Sequence, residues 1–75
     1  MSNYPSISFK DLIKRVQNLG FKSVRQKGSH IRFIHPDGRK TTIPDHGSKD
    51  VPTGLLSTII RYDLRMDIRD FWEKE

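Results

Sequence analysis

The sequence contains no cysteine, and this absence removes two common ways of stabilising a small domain. Neither a disulfide framework nor a cysteine-based zinc site can form, so nothing requires an oxidising compartment. The chain also has no apolar run of membrane-spanning length, and residues 1–6 lack the basic and apolar regions of a signal peptide. We therefore expect a cytoplasmic protein that makes no use of a membrane.

Acidic residues are scarce between Lys10 and Lys40, and the 75-residue chain carries a formal net charge of +5. A basic region of this kind favours a polyanion partner such as RNA or DNA. The same charge also suits an acidic protein partner or plain solubility, so it separates these interpretations only weakly. The length allows one small domain, residues 1–75, and its core is expected to be thin because small domains bury only about 60% of their unfolded surface.

The first half of the chain predicts a helix followed by three strands. Ser8 begins a segment that resembles a capping box, and Gly20 supplies a left-handed stop, so residues 8–19 are predicted to form an amphipathic helix. After Gly20 the apolar period changes from helical to alternating, which predicts strands. The predicted strands cover residues 21–27, 30–35 and 40–44.

Two glycine-containing turns are predicted to join these strands. Gly28 and Ser29 form the tight turn of a hairpin, so that His30 begins the second strand. Pro36-Asp37-Gly38 forms the next turn, because proline presets φ and glycine accepts positive φ.

Strand alternation assigns the side chains to two faces, one mainly basic and open, the other mainly apolar and packed on helices. The basic face is predicted to hold Ser23, Arg25, Lys27, His30, Arg32, Ile34, Lys40 and Thr42. The apolar face is predicted to hold Val24, Ile31, Phe33, His35, Thr41 and Ile43.

The C-terminal part of the chain predicts two further helices. The first opens at Pro52 with Thr53 as its cap, and Asp67 caps a short last helix that carries Phe71. The buried side of the longer helix is predicted to consist of Leu55, Leu56, Ile59, Ile60 and Leu64. The order α-β-β-β-α predicts an α+β fold, in which helices cover one face of a three-stranded antiparallel sheet and bury all the apolar stripes at once.

His30 and His46 are the candidate chemical residues. Histidine is the side chain whose ordinary pKa lies closest to neutrality, so His30 on the open face is the first candidate for proton transfer. An exposed strand histidine in a basic protein is more often simply a polar residue that faces water. A metal site is not expected, because no His-x-x-x-His spacing occurs, carboxylates are scarce nearby and cations surround both histidines.

Four motifs follow one another in order between Phe9 and Leu64. They are Arg25-Gln26-Lys27-Gly28-Ser29-His30, His35-Pro36-Asp37-Gly38, Ile43-Pro44-Asp45-His46 and a Gly-Leu-Leu-x-x-Ile-Ile helix that begins at Gly54. Together they resemble the HicA mRNA interferases, the small toxins of bacterial type II toxin–antitoxin pairs. The resemblance implies a fold like that of the double-stranded-RNA-binding domain, and a HicB-like antitoxin that binds and blocks the toxin.

The resemblance further implies that His30 is the catalytic histidine of an endoribonuclease that cleaves mRNA. RNA carries its own nucleophile, the ribose 2′-OH, so cleavage needs a proton acceptor or donor and positive charge at the phosphate, with no metal or other cofactor. RNA contacts are expected from Arg25, Lys27, Ser29 and Arg32. His46 is a secondary candidate, and a role in loop structure is at least as well supported for it.

Two other classes stay open on sequence grounds. A binding module without activity would use the same basic face to hold double-stranded RNA by its shape and phosphates. A DNA-binding regulator is disfavoured, because Arg61 and Arg65 are the main basic residues that the second helix offers to a groove.

Overall fold

The computed structural model describes residues 5–73, which form a sheet layer and a helical layer. The elements in chain order are α1 (Phe9–Asn18), β1 (Lys22–Lys27), β2 (His30–Ile34), β3 (Lys40–Pro44), α2 (Thr53–Thr58), a π-helix (Ile59–Asp63) and α3 (Ile68–Glu73). The strands form an antiparallel sheet in the order β1-β2-β3. The predicted α+β fold is therefore confirmed, including its short C-terminal helix. Within residues 5–73, no helix is long and apolar enough to span a membrane.

Helix α1 begins where side-chain and loop acceptors meet its free N–H groups. The Oγ of Ser8 accepts a hydrogen bond from the Asp11 N–H at 3.1 Å, as expected for a serine N-cap. The carbonyl of Gly47 accepts from the Lys10 N–H at 2.9 Å. The loop that follows β3 thus caps the same helix end and ties the two layers together.

The register of the sheet decides which side chains share a face, because directly opposed residues of an antiparallel pair project to the same side. His30 lies opposite Lys27 in β1 and Pro44 in β3. The next row on the same side consists of Arg25, Arg32 and Thr42, and the third consists of Lys22, Ile34 and Lys40. The predicted basic face is confirmed for all of its members except Ser23.

A β-bulge in β1 overturns the prediction for two side chains. The register shifts between Ser23 and Arg25, so the extra residue Val24 has no partner in β2. Val24 is 55% exposed and is therefore not the buried side chain that was predicted. Ser23 lies opposite Phe33, on the side that the helices cover. Strict alternation gives both positions wrongly, because one inserted residue reverses the assignment of every residue beyond it.

The core lies between the sheet and the helices. Phe33 and Ile43 contribute the buried side chains of the sheet, and the Thr41 hydroxyl beside them donates to the Asp63 carboxylate at 2.9 Å. The helical layer contributes Phe9, Leu12, Val16, Leu56, Ile59, Ile60, Leu64 and Phe71 to the same cluster. All buried apolar stripes are thus on one side of the sheet, and the other side is left open.

The second helical segment differs from its prediction at two positions. Pro52 has the extended backbone of an N-cap (ψ 139°), Thr53 is already helical, and no side chain caps this end. Leu55 is 39% exposed whereas its neighbour Leu56 is buried, since adjacent helical residues point about 100° apart. The prediction of Asp67 as a cap is confirmed, because its Oδ1 accepts from the Arg69 N–H at 2.9 Å.

Candidate functional site

The side of the sheet that carries no helix, called the open face below, is a cationic surface. Its exposed side chains are Lys22, Arg25, Lys27, His30, Arg32, Lys40 and Thr42. The three strands contain no aspartate or glutamate. An exposed surface that carries several cations and no acidic side chain attracts polyanions and orients their phosphates.

The hairpin turn fixes the position of His30 at the start of the central strand. Of the two turn residues only Gly28 has a positive φ, 60°, which is the conformation of a type II′ turn. The Ser29 carbonyl accepts from the Asp45 N–H at 2.6 Å, so the turn is also bound to the segment after β3. The side chain of Gln26 donates to the Gly28 carbonyl at 3.1 Å. The backbone next to His30 is therefore fixed by the turn itself and by the hydrogen bonds from Asp45 and Gln26.

The His30 ring itself is exposed and makes no hydrogen bond within residues 5–73. Lys27 lies directly opposite, a position that puts Cβ atoms about 4.5–5.5 Å apart. The row of Arg25 and Arg32 follows about 7 Å further along the strands. This arrangement leaves the imidazole accessible to a bound molecule and surrounds it with cations suited to a phosphate.

His46 lies in the loop that caps α1. Its ring packs edge-on against the Phe9 ring, with centroids 5.1 Å apart, and its carbonyl accepts from the Lys49 N–H at 3.3 Å. No hydrogen bond or ring contact joins it to His30 in the part of the chain that the structure describes. The same part contains no group of three or more histidine, cysteine, aspartate or glutamate side chains placed to hold a metal ion.

His35, the third histidine, joins the second turn to the end of α1. Its Nε2 lies 3.1 Å from the Leu19 carbonyl, and its Nδ1 lies 3.1 Å from the Asp37 N–H. In the neutral ring the Nε2–H donates to the Leu19 carbonyl, which can only accept, and Nδ1 accepts from the Asp37 N–H. Nδ1 also lies 3.0 Å from the Asp37 Oδ1, with which it forms an ion pair when the ring is protonated. The ring also meets the Phe21 ring edge-on at 5.1 Å. This structural role was not predicted from the sequence, which placed His35 only on the apolar face.

Arg39 connects the same turn to the helical layer. Its backbone N–H and its Nε donate to the Asp37 carboxylate at 3.0 and 2.8 Å, and its Nη1 donates to the Leu64 carbonyl at 2.6 Å. The two hydrogen bonds to Asp37, that from the Arg39 backbone N–H first, hold the pKa of the Asp37 carboxyl below its usual value. Arg39 is thus a structural cation, unlike the arginines of the open face.

Fold and surface together define a small α+β protein that presents a cationic sheet face with a histidine at the start of its central strand. A family model described as HicA toxin of bacterial toxin-antitoxin matches residues 9–63, from α1 to the end of the π-helix. The chain therefore belongs to the HicA toxin family, and it is the toxin component of a bacterial toxin–antitoxin system whose partner is an antitoxin. No curated protein matches the chain.

Proposed function

We propose that this toxin is an endoribonuclease that cleaves mRNA without a metal ion, with His30 as general acid or base. The observation that carries the proposal is the position of one exposed imidazole beside Lys27 and next to the Arg25 and Arg32 row, on a face without acidic side chains. Membership of a toxin family supports it, because destruction of mRNA is an effective way for a small basic protein to stop growth.

The chemistry follows from what RNA brings and what the open face offers. Attack of the ribose 2′-OH on the adjacent phosphorus forms a 2′,3′-cyclic phosphate and breaks the bond to the 5′-oxygen of the next nucleotide. His30 either removes the 2′-OH proton or protonates the departing 5′-oxygen. Lys27 and Arg32 stabilise the extra negative charge that develops on the phosphate oxygens.

Ser29 and Arg25 are proposed to position the RNA. The Ser29 hydroxyl or N–H lies in the turn next to His30 and orients the phosphate. Arg25 lies one row away and binds a neighbouring phosphate. Contacts of this type fix the backbone but do not read bases, so binding is expected to weaken steeply with salt.

The antitoxin is proposed to be HicB-like and to cover the open face. An acidic surface gains association rate from charge complementarity with Arg25, Lys27 and Arg32. The same contact hides His30, so one interface provides both recognition and inhibition.

Cleavage of a defined RNA oligonucleotide in EDTA tests the proposal. The wild-type toxin is expected to yield 2′,3′-cyclic or 3′-phosphate ends, and to leave intact an otherwise identical oligonucleotide with one 2′-deoxy residue at the scissile position. His30→Ala should lower kcat by about 10²- to 10⁴-fold while RNA binding is retained. His46→Ala, the matched control, should have a much smaller effect.

Three results would contradict this chemistry. Products with 3′-hydroxyl ends, or activity that returns only when Mg²⁺ is added after chelation, would replace the 2′-OH route by metal-assisted hydrolysis. Equal loss for His30→Ala and His46→Ala would require a mechanism with two histidines. Tight binding of double-stranded RNA without any turnover would assign the open face to a binding module.

A further inference from the structure

A cleft of about 400 Å³ adjoins the open face at the end away from His30. It is lined by Gly38, Arg39, Lys40, Tyr62, Asp63 and Arg65. Tyr62 is 74% exposed, more than Val24 at 55% or Leu55 at 39%. A large aromatic ring so fully presented to water, inside a concave site, is available to a ligand and contributes little to the core.

The backbone on both sides of Tyr62 is unusual. Tyr62 belongs to the π-helix Ile59–Asp63, and Arg65 has φ 54°, a left-handed conformation that is unfavourable for a residue other than glycine. The N–H of Leu64 still reaches the Ile59 carbonyl at 2.9 Å, so this shape is well hydrogen-bonded. Deviations of both kinds concentrate at functional sites, where a rigid fold holds a side chain in a required place.

Lys40 connects the cleft to the open face. It lies opposite Ile34, on the side of the sheet that carries His30. Ile34 is four positions beyond His30 along β2, a distance of about 13 Å. This length corresponds to about four stacked nucleotides at about 3.4 Å each. An RNA strand that followed β2 from a scissile phosphate at His30 would therefore reach the cleft.

Two of the charged side chains that line the cleft are held by hydrogen bonds, and two are available to bind a ligand. Arg39 is held by Asp37 and the Leu64 carbonyl, and Asp63 accepts from the Thr41 hydroxyl. The side chains of Lys40 and Arg65, both exposed, make no hydrogen bond or ion pair within residues 5–73. An exposed ring flanked by two available cations matches the chemistry of single-stranded nucleic acid, whose bases stack on aromatic rings while its phosphates bind cations.

We propose that this cleft is a subsite for single-stranded RNA, in which Tyr62 stacks on a base about four nucleotides from the scissile phosphate and Lys40 and Arg65 bind the phosphates around it. The location of the scissile phosphate rests on the proposed function, whereas binding at Tyr62 does not require cleavage. Stacking tolerates any base, so the subsite adds affinity and register without selecting a sequence.

Binding of two fluorescent 2′-O-methyl RNA decamers, followed by anisotropy, tests the subsite. One decamer carries bases, the other is abasic throughout, and neither can be cleaved. Tyr62→Ala should weaken binding of the first by about 5- to 150-fold and leave binding of the second unchanged. Tyr62→Phe should restore wild-type affinity, because the ring and not the hydroxyl makes the contact.

Matched variants separate stacking from charge and from folding. Leu55→Ala, which removes another exposed apolar side chain, should leave both affinities unchanged. Lys40→Ala and Arg65→Gly should weaken both decamers alike and each lower the salt slope by about one. Arg65→Gly should also raise the melting temperature, because glycine adopts positive φ without strain, so any loss of affinity in that variant is not a loss of fold.

Two outcomes would overturn the subsite. Wild-type affinity of Tyr62→Ala for the decamer with bases would remove stacking, and equal losses for Tyr62→Ala and Tyr62→Phe would assign the contact to the hydroxyl. If Tyr62→Ala weakened only the antitoxin complex, the cleft would belong to a protein interface instead. His30→Ala should keep the full dependence on Tyr62, so a failure of the catalytic proposal would leave this measurement intact.

Discussion

The three histidines of this toxin occupy such different surroundings that substitution of each should have a different consequence, and His35→Ala is the sharpest case. The change removes the hydrogen bonds to the Leu19 carbonyl and from the Asp37 N–H, together with the edge contact to Phe21. Each hydrogen bond contributes about 0.5–1.5 kcal/mol, and the ring contact contributes about as much. Part of the ring is exposed, so we expect a loss of about 2–3 kcal/mol in the free energy of unfolding.

A loss of this size is measurable without abolishing the fold. A chain of this length is stable by about 4–11 kcal/mol, so His35→Ala should remain folded at low temperature. Its melting temperature, followed by far-ultraviolet circular dichroism, should fall by about 10–20 °C. RNA cleavage at 15 °C should stay close to wild type, because His30 begins β2 whereas His35 follows its other end and contacts Leu19 and Phe21.

His30→Ala is the matched control and should give the reverse result. Its ring is exposed and makes no hydrogen bond within residues 5–73, so the melting temperature should change by no more than about 2–4 °C, while cleavage is lost. If His35→Ala melted within 3 °C of wild type, or if His30→Ala were the strongly destabilised variant, the division into a structural and a chemical histidine would be refuted.

Three further changes have directions that the structure sets. Gly20→Ala should lower the melting temperature by at least as much as His35→Ala, because Gly20 has φ 105° and an added Cβ would lie 2.9 Å from the His35 Nε2. The double variant Gly20→Ala, His35→Ala should not regain stability, since the strain at φ remains. Arg25→Glu with Lys27→Glu should weaken binding of both RNA and antitoxin and make both less sensitive to salt; wild-type antitoxin affinity in a titration would place inhibition elsewhere. Asp37 has a lowered pKa in the folded state, so its stabilising contribution is present above its ordinary value of 3.8 and is lost as the pH falls through the lowered pKa. Melting curves between pH 6 and pH 2 should therefore show less acid dependence for Asp37→Asn than for wild type.

The sequence predicted most of the fold because its main signals are local. A serine cap, a left-handed glycine and two short turns set the ends of α1 and of the strands without reference to the rest of the chain. The open face could be predicted for the same reason, since a two-residue turn at Gly28 and Ser29 fixes the register of the rows nearest to it. The bulge at Val24 lies on the far side of Arg25 from the turn, so it left the predicted face of Arg25 and Lys27 unaffected.

The features that escaped prediction depend on contacts between distant parts of the chain. The bulge and the π-helix each change the period of a segment, and periodicity is the very signal from which strands and helices are predicted. The role of His35 depends on the Leu19 carbonyl, which the fold brings to it. The cleft at Tyr62 likewise forms only where the second turn meets the helical layer, so no spacing in the sequence indicates it.

The one-sided burial of the sheet has a consequence for how toxins of this kind can diverge. Selection for stability acts on the helix-covered side, where each side chain packs against others, whereas exchanges of exposed side chains usually change stability by less than about 0.5 kcal/mol. Residues of the open face can therefore be replaced one by one without bringing the protein near its stability threshold. If, as proposed, these few positions carry both RNA cleavage and antitoxin binding, a duplicated copy of this gene would change its cleavage preference and its antitoxin together.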